Sequence, residues 1–119
     1  MYRVPLDLDL SKIVGEFATQ VRVGQFDLQF TFGPVNFAIH SQVTLSRNGE
    51  LVGNWKEGQW PDATFYDVLN SSVIRWEIPD DRRIVIHLEN GLAIHLNDDS
   101  DQYECMQISF EGEPGVAII

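Results

Sequence analysis

The sequence predicts a mainly β protein, α+β by strict count. It reads as an antiparallel meander of seven or eight short strands forming a roll, a barrel or a two-layer sheet, with one short helix near residues 62–70. Three observations carry this reading. Residues 83–97, RIVIHLENGLAIHLN, spell a β-hairpin; residues 35–45 alternate apolar and polar side chains; and only residues 62–70 have helical spacing.

The hairpin at 83–97 is the least ambiguous element. A two-residue Asn90-Gly91 loop would set Ile86 against His95 and Leu88 against Ala93, mixing polar and apolar groups on both faces. A three-residue loop, Glu89-Asn90-Gly91, removes the conflict. Ile84, Ile86 and Leu88 then stand opposite Leu96, Ile94 and Leu92, while Val85, His87, Ala93 and His95 share the other face. Gly91 falls where this loop needs positive φ, which glycine alone adopts cheaply.

From the N-terminus, Asp7 to Gly15 reads as a lead-in, with one helical turn at Ser11-Lys12-Ile13-Val14 stopped by Gly15. Residues 17–32, FATQVRVGQFDLQFTF, predict a second hairpin around a Gly24-Gln25 loop. Phe17, Thr19, Val21 and Val23 would face Phe32, Phe30, Leu28 and Phe26. After Gly33-Pro34, one long alternating run puts Val35, Phe37, Ile39, Val43 and Leu45 on a common face, interrupted only by Ser41. Arg47-Asn48-Gly49 repeats the loop chemistry of Glu89-Asn90-Gly91. A three-residue loop there would place Leu51, Gly53 and Trp55 on the apolar side.

The rhythm changes at Trp60-Pro61-Asp62. Asp62 is the expected N-cap of a short amphipathic helix carrying Phe65, Val68 and Leu69 and ending near Asn70. Strand character returns at 73–78, with Ile74, Trp76 and Ile78 as the apolar set, and Pro79 to Arg82 turns the chain into the 83–97 hairpin. Asn97 to Asp101 is a polar loop. Residues 104–110 alternate again with Met106, Ile108 and Phe110 inward. The apolar tail Val116-Ala117-Ile118-Ile119 is expected to pair or pack, because left in water it would invite aggregation.

The 119 residues suit a single domain, 1–119, that buries about two-thirds of its unfolded surface. Cys105, the one cysteine, excludes an internal disulfide and the usual multi-cysteine zinc patterns, which favours a reducing cytoplasm. MYRVPLDLDL lacks an apolar stretch of signal-peptide length, and no later run approaches a membrane span. A formal charge of −10 opposes binding to nucleic acid or anionic lipid, so neither nucleic acid nor membrane is an expected partner. Acidity concentrates between Glu77 and Glu113, with ten acids against Arg82 and Arg83. That segment is either a solvated surface or an acidic face for a basic protein.

Few groupings could carry chemistry. His40, His87 and His95 all fall on polar faces, and His87 and His95 are diagonal neighbours, about 7 Å apart or less at Cβ. Such a pair could share a metal or serve acid/base chemistry, but a catalytic metal needs a third protein ligand, and without the strand order His40 is not placed beside them. Asn97, Asp99 and Asp101 repeat oxygen ligands at calcium-loop spacing. The pattern then fails, with Gln102 where an EF-hand needs glycine and Ile108 where it needs glutamate. No nucleophilic triad or phosphate-binding loop is present, and Cys105 sits among acids that disfavour its thiolate. No catalytic residue, metal ligand or cofactor is therefore assigned. Trp55 and Trp60 flank Lys56-Glu57-Gly58-Gln59 and are either interface anchors or core and helix-packing residues.

Two stretches, GEFATQVRVGQFDLQFTFGP and ENGLAIHLNDDSDQYECMQISFEGE, resemble small bacterial β-rich domain families of unknown function. In size and charge alone the chain is also similar to the immunity proteins encoded beside bacterial toxins. The resemblance implies no catalytic residue.

The leading expectation is a non-enzymatic acidic protein-binding module, immunity-type in character, steered towards a basic protein partner. Its candidate binding residues are Trp55, Trp60, Asp98, Asp99, Asp101, His87 and His95. The alternatives are a small metal-dependent or acid/base enzyme using His87 and His95, and a structural homodimer subunit.

Overall fold

The computed structural model describes residues 3–100, 103–113 and 115–119. Among them are ten strands: β1 (Val21–Val23), β2 (Leu28–Phe32), β3 (Val35–Ile39), β4 (Val43–Arg47), β5 (Glu50–Trp55), β6 (Val73–Asp80), β7 (Arg83–Leu88), β8 (Leu92–Asn97), β9 (Met106–Phe110) and β10 (Val116–Ile118). They form two antiparallel five-stranded sheets, ordered β1-β2-β3-β9-β10 and β5-β4-β8-β7-β6. Of the three arrangements open to the sequence, the two-layer sheet is the one adopted. Buried side chains of both sheets form one cluster, in which Phe30, Phe32 and Phe37 pack with ring centroids 5.5 to 6.2 Å apart.

The alternating run at 35–45 explains how the layers connect. It breaks after Ile39, and β3 lies in the first sheet while β4 lies in the second. The period of two continues through the corner, so Val35, Phe37 and Ile39 point into the same core as Val43 and Leu45, all of them fully buried. Ser41, the interruption in the pattern, is the buried corner residue itself. The chain makes the return crossing between β8 and β9. The two crossings lie against each other, with His40 N donating to Cys105 O at 2.7 Å and Asn97 N to Gln42 O at 3.2 Å.

The 83–97 hairpin has the expected register, with Ile84 opposite Leu96 and Ile86 opposite Ile94, and Gly91 at φ +92°. The first hairpin differs. Its turn is centred one residue later, so Val21 pairs Phe30 and Val23 pairs Leu28. A slip of two preserves every face, so Leu28, Phe30 and Phe32 still enter the core, but Phe17 and Phe26 fall outside the ladder, both about half exposed.

The loop after β4 is two residues long, not three. Asn48 at φ +55° and Gly49 at φ +81° make the primed turn that suits a tight hairpin. That loop alone would turn Gly53 and Trp55 outward. A bulge at Val52 restores them, pairing Leu45 with Gly53 and Val43 with Trp55, and leaves Leu51 outside at 68% exposure. A second bulge, at Ile74 in β6, likewise turns Ile74 to solvent while Val73 takes the core position.

The expected helix is a 3-10 helix, Ala63–Val68. Three residues per turn put Phe65 and Val68 on one buried face, and Leu69 follows in extended conformation. Asp62 precedes it but does not cap it. Its carboxylate instead accepts from Asn54 N at 2.9 Å, tying the helix start to β5. The lead-in turn forms at Ser11–Ile13, followed by Gly15 at φ +87°. The apolar tail pairs with β9, and Ile119 is fully buried, exchanging backbone hydrogen bonds with Met106.

Candidate functional site

Trp60, the most exposed large apolar side chain among the described residues, stands at 79% exposure above a groove between β1 and the 3-10 helix. The groove has two adjoining parts of about 270 Å³ each, which share Val23 and Trp60. One part runs under the Gly24-Gln25 turn and the Gly58-Gln59 loop. The other is floored by Val21, Val23 and Phe65, with Tyr66, 77% exposed, on its far rim. Local sequence builds it. Pro61 and the 3-10 helix hold residues 60–66 beside β5 through the Asp62 to Asn54 bond, and Thr64 Oγ1 donates to Val52 O at 2.6 Å. Helical spacing then sends Phe65 inward and Tyr66 outward. Leaving two aromatic rings in water forgoes about 1.5–3 kcal/mol of burial apiece, which a docked partner would recover.

Trp55 does not share this site. It is fully buried at the end of β5, so the packing alternative holds for Trp55 and the surface alternative for Trp60. The indole N–H of Trp55 has no hydrogen-bond partner among the described residues.

The histidines divide. His40 sits at the corner after β3, where Nδ1 hydrogen-bonds Phe26 O at 3.1 Å, away from the other two. His87 and His95 are diagonal neighbours on the outer face of the second sheet, as expected. His95 Nε2 shares a 2.8 Å hydrogen bond with Ser46 Oγ, and His87 Nε2 lies 3.3 Å from Glu77 Oε1. Burial, then the positive charges of Arg83 and His87, holds His95 below its ordinary 6.5, while Glu77 opposes them. Glu77 is in turn held below its usual carboxylate range, chiefly by the hydrogen bond from His87. Among the described residues no group of three or more His, Cys, Asp or Glu is placed to hold a metal ion.

The polar loop that begins at Asn97 does not turn every acid to solvent. Asp98 is buried at 4% exposure at the corner between sheets, 3.6 Å from Arg3, and accepts from the Cys105 thiol at 3.1 Å. Burial and that bond push the Cys105 thiol up from 9.0, which disfavours the nucleophilic thiolate. Asp98 is therefore a structural carboxylate and not a surface contact. Asp99 is exposed and accepts from Gln42 N at 3.1 Å, while Asp101 lies outside the described residues.

Of the sequence-predicted binding residues that are described, Trp60 alone lines the groove. Val21, Val23 and Tyr66 escaped the sequence reading. Tyr66 carried a readable signal, since it follows the inward Phe65 on a short helix, but the position of β1 beside that helix depends on contacts distant in sequence. No helix among the described residues is long and apolar enough to cross a membrane. No family model, no curated protein and no solved structure matches the chain, so its assignment rests on its own residues.

Proposed function

We propose that this chain is a non-enzymatic protein-binding module that captures a basic protein through the Trp60–Tyr66 groove, in the manner of an immunity protein, within a reducing cytoplasm. The observation that carries the reading is an indole 79% exposed above a largely apolar groove. Tryptophan and tyrosine anchors of this kind dominate binding energy at protein interfaces. The chain's charge of −10 supplies the steering, speeding encounter with a cationic surface and opposing anionic ones.

The test compares wild type with Trp60→Ala in capture from host lysate at low and moderate salt. The expected result is one stoichiometric basic protein, retained by wild type and weakened in the variant by about 2 kcal/mol or more, roughly thirtyfold. Equal capture by both proteins would remove the groove from the interface. Association independent of salt would remove the electrostatic role.

A second reading, acid/base chemistry, is favoured by the 2.8 Å contact of Ser46 Oγ with His95 Nε2. Both parts of the groove lie elsewhere, which ranks this reading below binding.

A further inference from the structure

β1 is the outermost strand of its sheet, and hydrogen-bond parity decides which of its backbone groups face out. Gly24 N donates to Asp27 O at 2.8 Å across the turn, which makes Gly24 and Asp27 a hydrogen-bonded pair. Two residues further along the ladder, Arg22 and Gln29 are the next such pair. Val21 and Val23 occupy the alternate positions, so their N–H and C=O groups point away from β2, and both residues line the groove.

The chain on each side of this window is tied down. Ala18 O accepts from Asn70 N at 2.8 Å and Gln25 O from Gly58 N at 3.1 Å, yet no described backbone hydrogen bond crosses the edge to Val21 or Val23. Each outer strand of the other sheet is bonded over part of its length, and neither lines the groove. Asp62 and Thr64 bond to β5, and Gly15 and Glu16 bond to Val73 of β6. β10, the far edge of the first sheet, lines neither part of the groove. An uncovered edge beside exposed aromatics is a surface for strand addition.

We propose that β1 accepts an added strand: an extended, basic segment of the partner protein, paired through Val21 and Val23, with its apolar side chains packed under Trp60 and Tyr66. The inference rests on the groove's being a protein-binding site and specifies how it binds. Charge selects a basic segment. Among the described residues lining the groove, Asp62 is the one acidic or basic side chain, in a chain of net −10. Arg22 does not offset it, because its guanidinium is held on the opposite face by Thr31 Oγ1 at 3.0 Å and Asn36 Oδ1 at 2.6 Å.

The experiment selects binders from a random dodecapeptide display library, then measures the affinity of the most enriched peptide by calorimetry and follows backbone amides by NMR. Enriched sequences should alternate apolar residues with lysine or arginine, and binding should shift the Val21 and Val23 amides downfield and slow their exchange. Val23→Pro deletes one outward donor at an edge position where proline leaves the β1–β2 ladder intact. It should bind at least tenfold more weakly than Val23→Ala, which keeps the donor.

Equal affinity of these two variants, with unmoved Val21 and Val23 amides, would overturn strand addition; if Trp60→Ala still abolished binding, the groove reading would stand. Enrichment of no basic peptide, or of peptides indifferent to Trp60→Ala, would overturn both. Wild-type dimers that Val23→Pro dissolves would assign the edge to a second copy and overturn the basic-segment proposal. Should Val23→Pro fail to fold, amide exchange in wild type decides alone.

Discussion

His95 shows how a single side chain couples sheet position to pH. Held below 6.5 mainly by burial, it binds a proton less readily folded than unfolded. The stability this provides is complete above about 6.5 and is lost as pH falls through the folded value. The melting temperature should therefore decline from pH 7 to pH 5, and His95→Gln should flatten that decline. An NMR titration midpoint for His95 at or above 6.5 would refute the account. Glu77, also lowered, acts in a separate window below 4.5. Asp98 makes a different prediction. Its buried carboxylate serves Arg3 and the Cys105 thiol, so Asp98→Ala should cost about 2–4 kcal/mol in chemical denaturation. Composition alone placed Asp98 on an acidic surface, among the candidate binding residues. Nothing local distinguishes it from exposed Asp99, because its partners, Arg3, Arg82 and Cys105, come from other parts of the chain.

At the scale of elements, the 83–97 hairpin was legible because its loop, register and glycine all lie within fifteen consecutive residues. Gly91→Ala should cost about 1 kcal/mol, the strain of a side chain at φ +92°. The bulges at Val52 and Ile74 were not legible, because each corrects a mismatch between a local loop and a core partner in another strand. Exposure likewise separates residues that the sequence treated alike. Phe37, stacked 5.5 Å from Phe30 and fully buried, should lose about 3–5 kcal/mol on truncation to alanine, whereas half-exposed Phe26 should lose about 0.5 kcal/mol or less. Paired urea melts measure the difference.

For the whole molecule, the radius of gyration is 13.1 Å, against about 13.5 Å expected for a compact chain of this length. Eighteen acids against eight bases within that volume repel one another. Added sodium chloride should screen the repulsion and raise the melting temperature by a few degrees between 10 mM and 0.5 M; a fall would mean that the ion pairs outweigh the net charge. Fold class, the inward and outward faces of most strands and the pairing of the tail were legible in the chain alone, because alternation with period two is written residue by residue. Strand partnership was not legible there: β3 pairs with β9 and β4 with β8, Trp55 is core while Trp60 is surface, and β1 faces an aromatic groove with its edge uncovered. Those outcomes depend on which distant strands meet, a choice set by packing two faces into one core and not by any pattern within a single strand.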